Sequence, residues 1–251
     1  MKSKLAPKIR RKAVNALADY SMIKEGDNLL VAVSGGVDSS ALLILLKEIQ
    51  RRSKFKFLIQ PVILDQKFPG MDISAFKQWI KQLGFELTVL EFDIFEKVKD
   101  KGPAETSACQ ICSRLRRGIL YSYAANNGFN KIALGHNRDD LNETVLMNMF
   151  FAGKLESMPP KLISDDQRNT IIRPLCYVSK KLISDYASEM GVPVVTNTYC
   201  EERIDGSRER IKKLLADLEA FNPKIPGSLL TSLKNVHLSH LLDKNHWDFK
   251  A

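Results

Sequence analysis

Short apolar runs alternate along the chain with longer stretches in which apolar residues recur at helical spacing. The runs are rich in Val, Ile and Leu, which favours β-strands. They predict strands over 28–34, 57–65, 86–92, 131–136 and 192–196. Helical spacing predicts helices over 39–52, 71–83, 111–126, 139–151, 180–190 and 207–221, with a further helical region after Pro226. This alternation predicts an α/β fold, a parallel sheet with helices on both faces.

The same spacing predicts which residues of three helices face inward. They are Ile73, Phe76, Ile80 and Leu83; Leu141, Val145 and Met149; and Ile211, Leu214, Leu218 and Phe221. No composition shift marks a domain boundary, so we expect one domain over 1–251. Within it we expect an N-terminal helix in 1–25, a nucleotide-binding core in 26–200 and a C-terminal helical segment in 201–251.

Charge and cysteine usage narrow the partners and the compartment. The 251-residue chain has a net charge of +9, which favours a polyanion such as nucleic acid, although a solvated basic surface is the alternative. The longest apolar stretch, 29–46, is interrupted by polar residues and cannot cross a membrane. Four cysteines without a signal peptide fit a reducing compartment, so we expect the cytoplasm.

A glycine-rich turn, SGGVDSS at 34–40, joins the first predicted strand to the first long helix. Backbone N–H groups in such a turn can close on an anion, and the helix N-terminus adds about half a positive charge. The turn lacks a Walker A ending and a dinucleotide-binding spacing, which disfavours kinases, GTPases and dehydrogenases. It therefore predicts a phosphate site of another kind; a plain turn with Asp38 or Ser39 as helix N-cap is the alternative.

A second polar motif, GHNRDD at 135–140, follows the fourth predicted strand. Ligands bind at the carboxyl ends of strands in such sheets, so we expect this motif at the same edge as the glycine turn. His136 is suited to hydrogen-bond a phosphate, and Asp140 to bind Mg²⁺ or move protons. The alternative is that Asp139 and Asp140 simply open a helix with favourable charge.

A Cys-x-x-Cys motif, Cys109 and Cys112, stands just before three arginines. On a helix, Cys109, Cys112 and Arg116 share a face, while Arg114 and Arg117 point elsewhere. Cys109, Cys112 and Cys200 would form a set of three thiolates. Such a set is suited to an iron–sulfur cluster with one open iron, or to zinc if a fourth ligand joins. Cys176 is that possible fourth ligand, with core packing as the alternative.

The glycine turn resembles the S-G-G-x-D-S signature of the PP-loop ATP pyrophosphatases. That resemblance implies a Rossmann-like core of the adenine nucleotide α-hydrolase type and cleavage of ATP between its α- and β-phosphates. It implies that Asp38 helps to place Mg²⁺. The residues expected to bind ATP are Ser34, Gly35, Gly36, Val37, Asp38, Ser39, Ser40, Gly135 and His136.

The chain as a whole resembles the TtcA family of tRNA 2-thiocytidine synthetases. The resemblance is carried by LDQKFPG, CQICSRLRRGILY, KIALGHNRDD, NMFFAGKLESMPPKL, IIRPLCYV and SHLLDKNHWDF. It implies a [4Fe–4S] cluster on Cys109, Cys112 and Cys200, and a cytidine of the tRNA anticodon loop as substrate. Val37 stands where many family members carry lysine, so a cationic phosphate contact has to come from elsewhere.

The mechanism implied is adenylation of the cytidine 2-oxo group followed by transfer of sulfide from the cluster. We expect Asp38, Arg116 and Asp140 to act in catalysis, Arg116 by holding the sulfur or the adenylate. Expected partners are tRNA and a sulfur donor such as a cysteine desulfurase or free sulfide, with a homodimer among the states considered. Candidate contacts to the RNA backbone are Lys8, Arg10, Arg11, Lys12, Arg208, Arg210, Lys212 and Lys213.

Two other functions stay open from the sequence. One is a PP-loop sulfurtransferase that acts on another tRNA base or on a small molecule. The other is a non-catalytic RNA-binding relative, which would retain tRNA without releasing AMP. Formation of AMP separates the second of these from an enzyme.

Overall fold

A computed structural model describes residues 3–99, 108–195 and 206–249, without the side chains of Ala108 and Cys109. The chain divides into two compact units. The first, which we call the sheet unit, comprises Met1–Arg138 and Pro159–Ile204; the second, the helical unit, comprises Asp139–Met158 and Asp205–Ala251. That the chain works as one domain stays a prediction.

One sheet organises the sheet unit. Its strands within the described residues are β1 (Asn28–Val33), β2 (Leu58–Asp65), β3 (Thr88–Glu91), β4 (Lys131–Ala133), β5 (Lys161–Ile163) and β6 (Thr170–Ile172). The spatial order is β3-β2-β1-β4-β6-β5, and every neighbouring pair is parallel except β5 with β6. Strands β2, β1 and β4 are adjacent, so their carboxyl ends lie at one edge. The predicted α/β Rossmann-like fold is confirmed.

The last predicted strand was wrong. Residues 192–195 have no regular secondary structure, and the place beside β4 is taken by β6. An apolar run such as 192–195 forms a strand only if another strand pairs with it, and the run alone does not indicate a partner. In the structure its backbone meets a loop instead, because the Val195 N–H donates to the Gly35 carbonyl at 3.0 Å.

Helices of the sheet unit lie at the predicted positions with shifted ends, except for α4, which was not predicted from the sequence. They are α1 (Ala6–Asp19), α2 (Val37–Arg52), α3 (Ser74–Gln82), α4 (Phe95–Val98), α5 (Ala108–Asn126) and α7 (Lys180–Glu189). Helix α2 packs against α7, and α1 packs against both. The first half of α2 is almost wholly buried because its leucines lie between the sheet and these helices. This packing fixes the N-terminus of α2 relative to β1.

The helical unit contains α6 (Arg138–Met147), α8 (Gly206–Phe221) and α9 (Ile225–Ser232). The first residue of α6, Arg138, belongs to the sheet unit. Val145, Leu146 and Ile211 form the buried cluster of the helical unit. Three residues predicted to face inward are exposed: Met149, Leu214 and Phe221. Met149 is exposed because the helix widens into a π-helical turn at Asn148–Ala152, which rotates the residues after Met147 out of the α-helical register.

Candidate active site

The turn between β1 and α2 is held in shape by its own serines. The Ser34 N–H donates to Ser39 Oγ at 3.0 Å, and the Ser39 hydroxyl donates to the Gly36 carbonyl at 3.1 Å. Ser40 Oγ donates to the same carbonyl at 2.9 Å. Ser39 and Ser40 are buried, so their hydroxyls stabilise the loop from within.

Helix α2 begins at the glycine-rich turn. No side chain caps the helix at Gly36 within the described residues, and the first N–H groups of an α-helix have no partner inside the helix. Gly35 has a φ of +78°, which favours glycine, and a Cβ there would lie 2.5 Å from the Val195 side chain. Backbone N–H groups and the helix dipole are therefore what Ser34–Ser40 offers to an anion.

The second motif packs directly on this loop. A Cβ on Gly135 would lie 2.9 Å from the Ser39 backbone nitrogen and 3.0 Å from the Ser39 Cα atom. Glycine is required here because the chain after β4 runs against the backbone of the first turn of α2. This approach brings the segment that carries His136 to the glycine turn Ser34–Ser40, which we call the phosphate loop, as expected for two strand ends at one edge of a parallel sheet.

His136 is oriented by Arg173, the residue that follows β6. Arg173 Nε donates to His136 Nδ1 at 3.3 Å, and Arg173 Nη1 donates to the Pro159 carbonyl at 2.5 Å. Because a guanidinium can only donate, the Nδ1 atom of His136 is the acceptor, and the ring proton of neutral His136 sits on Nε2. Burial lowers the pKa of Arg173 from its usual value, and Arg117 adds to this lowering.

A lysine from α7 reaches the phosphate loop. Lys180 Nζ lies 2.5 Å from Asp38 Oδ2, and both side chains keep contact with solvent. Lys180 is the first residue of α7, and Ser179 caps that helix by accepting from the Leu182 N–H at 3.3 Å. A positive charge thus stands beside a loop whose seven residues contain no lysine or arginine.

Cys112, a residue of α5, lies beside the carboxyl end of β2. Its thiol donates to Gln66 Oε1 at 3.2 Å, and Gln66 follows the last residue of β2. Phe68 and Ile94 belong to the apolar cluster against which Cys112 packs. Because β2 neighbours β1 in a parallel pair, this thiol and the phosphate loop are on the same edge of the sheet.

Comparison with known proteins gives the family. Residues 5–218 match the PP-loop domain. A tRNA-cytidine(32) 2-sulfurtransferase of Bdellovibrio bacteriovorus is 52% identical over 246 residues, which cover 98% of this chain and 95% of that protein. A protein of the same name in Coxiella burnetii is 45% identical over 235 residues, 94% of this chain and 92% of its own length. The chain belongs to the tRNA-cytidine(32) 2-sulfurtransferase family. The TtcA resemblance is thereby confirmed.

A solved structure of a tRNA thiolase has a similar fold. The U34-tRNA thiolase NcsA from Methanococcus maripaludis, determined with its [4Fe–4S] cluster, superposes with a TM-score of 0.74. The match covers 93% of this chain and 80% of that chain at 19% identity. At this identity the likeness is one of fold.

The thiolate set expected of the family is described only in part. Cys109 lies in α5, but its side chain is outside the described residues, as is Cys200. Among the residues that are described, no three His, Cys, Asp or Glu side chains form a metal-binding group. The half-buried thiol of Cys112 is suited to bind a soft metal. The three-cysteine cluster site stays a prediction, because the other two thiols are outside the described residues.

Arg116 lies one helical turn after Cys112 and is half-buried, whereas Arg114 and Arg117 are exposed. This burial pattern places Arg116 on the same side of α5 as Cys112. Cys176 is fully buried next to Leu175 and Val178, which supports its role in core packing.

Asp140 belongs to the helical unit and has a cation nearby. Its Oδ1 lies 3.6 Å from Arg208 Nη2, and Arg208 Nε donates to Glu143 at 2.9 Å. Burial raises the pKa of Glu143, and the bond from Arg208 opposes that rise. Arg208 is therefore bound to acidic partners in its own unit, and the Mg²⁺-binding role of Asp140 stays a prediction.

The predicted RNA-binding side chains of α1 form a concentrated cationic group. Lys8 and Arg11 are exposed, while Arg10 pairs with Glu48 at 2.9 Å. The pKa of Lys12 is lowered by burial and by the positive charges of Arg138, Lys8 and Arg11. These positive charges repel one another, and a bound polyanion would relieve that repulsion. On α8, Arg210, Lys212 and Lys213 are exposed.

Arg173 and Lys180, which contact the candidate site residues His136 and Asp38, were not among the residues predicted from the sequence. Arg173 stands in IIRPLCYV, where the arginine interrupts an apolar run, a pattern that can signal a buried polar contact. Lys180 places positive charge at a helix N-terminus, which the helix dipole disfavours. Both signals are local conflicts of a kind that often marks a functional site. No helix of the described chain is both long and apolar enough to span a membrane.

Proposed function

We propose that this protein is an ATP-dependent tRNA sulfurtransferase that converts a cytidine of the anticodon loop to 2-thiocytidine. One observation carries the proposal. The phosphate loop after β1, the Gln66–Cys112 contact after β2 and His136 after β4 lie at the carboxyl ends of three adjacent strands. The curated relatives, which are named for this reaction, support cytidine as the target.

ATP is bound through the backbone of Ser34–Ser40 and the N-terminus of α2. Asp38 and Asp140 are the carboxylates that would hold Mg²⁺, which prefers carboxylate and phosphate oxygens and would neutralise charge on the triphosphate. His136, with its Nε2 proton, is suited to donate to a phosphate oxygen. Together these groups leave the α-phosphorus open to attack while the pyrophosphate half is held.

The cytidine 2-oxo oxygen attacks the α-phosphorus of ATP, and the bond to the bridging oxygen breaks as pyrophosphate leaves. The base is then activated, because its oxygen now departs as part of AMP when sulfide takes its place at C2. A [4Fe–4S] cluster held by Cys109, Cys112 and Cys200 would supply that sulfide. Arg116, on the same side of α5 as Cys112, balances negative charge on the sulfur or the adenylate.

The RNA is held by charge and presents a single unstacked base. Bases in single-stranded loops can be splayed into a pocket at the least cost. Lys8, Arg11 and Lys12 on α1, and exposed basic residues of α8, are the proposed phosphate contacts. Binding should weaken steeply as salt rises, because each neutralised phosphate releases a counterion. We propose a cytoplasmic location and a sulfur donor that recharges the protein between turnovers.

The test is anaerobic reconstitution with iron and sulfide, followed by mass spectrometry of tRNA nucleosides with and without ATP. Reconstituted wild type should make 2-thiocytidine and AMP in equal amounts. Cys112→Ser should lose product and bound iron, whereas Cys176→Ser, altered in the core, should keep its iron. Asp38→Asn should bind iron yet release no AMP. Thiolation by an iron-free sample, or thiouridine as the sole product, would refute the proposal.

A further inference from the structure

The phosphate loop takes its positive charge from outside its own sequence. Ser34–Ser40 contains Asp38 and no cation, so ATP would meet a carboxylate beside the helix N-terminus. A tetra-anionic nucleotide there requires compensation beyond backbone N–H groups. We propose that Lys180, from α7, is the phosphate-binding lysine of this loop and contacts the β- or γ-phosphate of ATP. This inference rests on the proposed function and names a residue that acts in it.

The position of Lys180 supports this role. Its Nζ already lies 2.5 Å from Oδ2 of Asp38, a residue of the first turn of α2. That turn is also where uncapped N–H groups are available to an anion. A lysine carries three donors on a flexible stem, so Nζ can keep one contact with Asp38 and make another to phosphate.

Packing of α7 fixes the backbone of Lys180 while its ammonium group stays accessible to solvent. Helix α7 packs on α2, and Leu182 and Ile183, which follow Lys180, are buried. The Lys180 side chain is 53% exposed and that of Asp38 is 26% exposed, so nucleotide can reach both. Without nucleotide, Asp38 offsets the unfavourable charge of a lysine at the N-terminus of α7.

The charges also explain why the two residues belong together. Asp38 would also help to hold the Mg²⁺ that accompanies ATP, and the metal would then compete with Lys180 for the Asp38 carboxylate. The lysine is then available to the phosphates at the moment when negative charge enters the loop. The Lys180 ammonium group can therefore balance the charge of either the Asp38 carboxylate or the ATP phosphates.

The neighbouring lysine provides a matched control. Lys181 is the next residue, and its side chain is 84% exposed and pairs only with Asp185 on the same helix among the contacts described, at 2.8 Å. Lys181→Met removes the same charge from the same helix end without touching Asp38. Any loss seen with Lys180→Met but not with Lys181→Met comes from the specific position.

The experiment measures binding of ATP·Mg²⁺ and of AMP by calorimetry. Wild type is compared with Lys180→Met, Lys180→Arg and Lys181→Met. Lys180→Met should weaken ATP binding about tenfold or more, the size expected for one charge-assisted hydrogen bond. AMP binding should change less than about threefold, because AMP lacks the phosphates that Lys180 contacts. Lys180→Arg should recover most of the ATP affinity.

The outcomes separate this inference from the function on which it rests. Equal ATP affinity in wild type and Lys180→Met refutes the role of Lys180 alone. Equal weakening of ATP and AMP, together with a lower melting temperature, assigns Lys180 a structural role and also refutes the inference. Failure of wild type to bind ATP would refute the proposed function itself.

Discussion

Arg173 Nε donates to His136 Nδ1 at 3.3 Å, so a residue at the end of β6 fixes the proton of a histidine at the end of β4. Strands β4 and β6 are parallel neighbours, with Ala133 opposite Ile172. The contact therefore joins two strand ends at the edge that carries the phosphate loop. Arg173 positions His136 and does not itself need to touch the nucleotide.

Arg173→Gln should slow AMP formation by about tenfold to a hundredfold, because a hydrogen bond from a charged donor is worth about 1.5–3 kcal/mol. The loss should fall mainly on kcat, since the backbone of the phosphate loop still binds ATP. Nitrogen NMR of His136 should show a larger share of the tautomer with a proton on Nδ1 than in wild type. A variant with an unchanged His136 spectrum and an unchanged rate would contradict the positioning role. Thermal unfolding of the variant shows how far loss of the Arg173–Pro159 bond lowers stability.

Gly135→Ala should displace the first turn of α2. The new Cβ would meet backbone atoms of Ser39 at 2.9 and 3.0 Å, and backbone cannot move aside cheaply. Overpacking of this kind costs about 1–3 kcal/mol, so ATP affinity should fall about tenfold to a hundredfold. Isothermal calorimetry checks it.

Gly118→Ala is the control for that variant, because nothing lies within 4 Å of the added Cβ in α5. It should leave ATP affinity unchanged and stabilise the protein slightly, as alanine favours helix over glycine by about 1 kcal/mol. Equal ATP affinity in Gly135→Ala and Gly118→Ala would mean that the loop tolerates the clash.

Lys131→Met should destabilise the sheet unit strongly. Lys131 Nζ lies 2.5 Å from Asp27 Oδ2 and donates to the Met22 carbonyl at 2.7 Å, and both side chains of the pair are buried. Removing the lysine leaves a buried carboxylate without its cation, at a cost of about 3–5 kcal/mol. Urea unfolding measures the change.

The double variant Asp27→Asn/Lys131→Met should recover part of that loss, because it leaves no buried charge. Lys181→Met, which breaks an exposed pair, should change the free energy of unfolding by less than about 1 kcal/mol. A Lys131→Met protein as stable as Lys181→Met would show that the buried pair contributes nothing to folding.

Local patterns predicted much of this fold, and contacts between distant segments explain what they missed. Helix α2 and the turn before it were predictable because glycines, Asp38 and the apolar run lie together in sequence. The run at 192–195 looks like a strand, but strand formation depends on a partner, and β4 pairs with Thr170–Ile172 instead. Lys180 lies 142 residues from Asp38, so their contact becomes visible only when α7 packs on α2.

The hairpin between β5 and β6 gives a test of pH dependence. Asp166 accepts from Ser164 Oγ at 2.6 Å and from Arg168 Nε at 2.8 Å. These bonds, that from Ser164 first, lower the pKa of Asp166 from 3.8 to about 2. A carboxyl whose pKa is lowered by folding stabilises the native state above its unfolded pKa. That contribution is lost as pH falls from about 4 toward 2.

Ser164→Ala should raise the pKa of Asp166 toward 3.8, because it removes the largest cause of the shift. Carboxyl carbon NMR shifts, followed against pH, would show the midpoint directly. Asp72 is the internal control: Ser74 lowers its pKa through side-chain and backbone hydrogen bonds, and the substitution does not touch it. The stability difference between wild type and Ser164→Ala should therefore be larger at pH 6 than near pH 2. An Asp166 midpoint that stays near 2 in Ser164→Ala would mean that Arg168 alone holds the carboxylate.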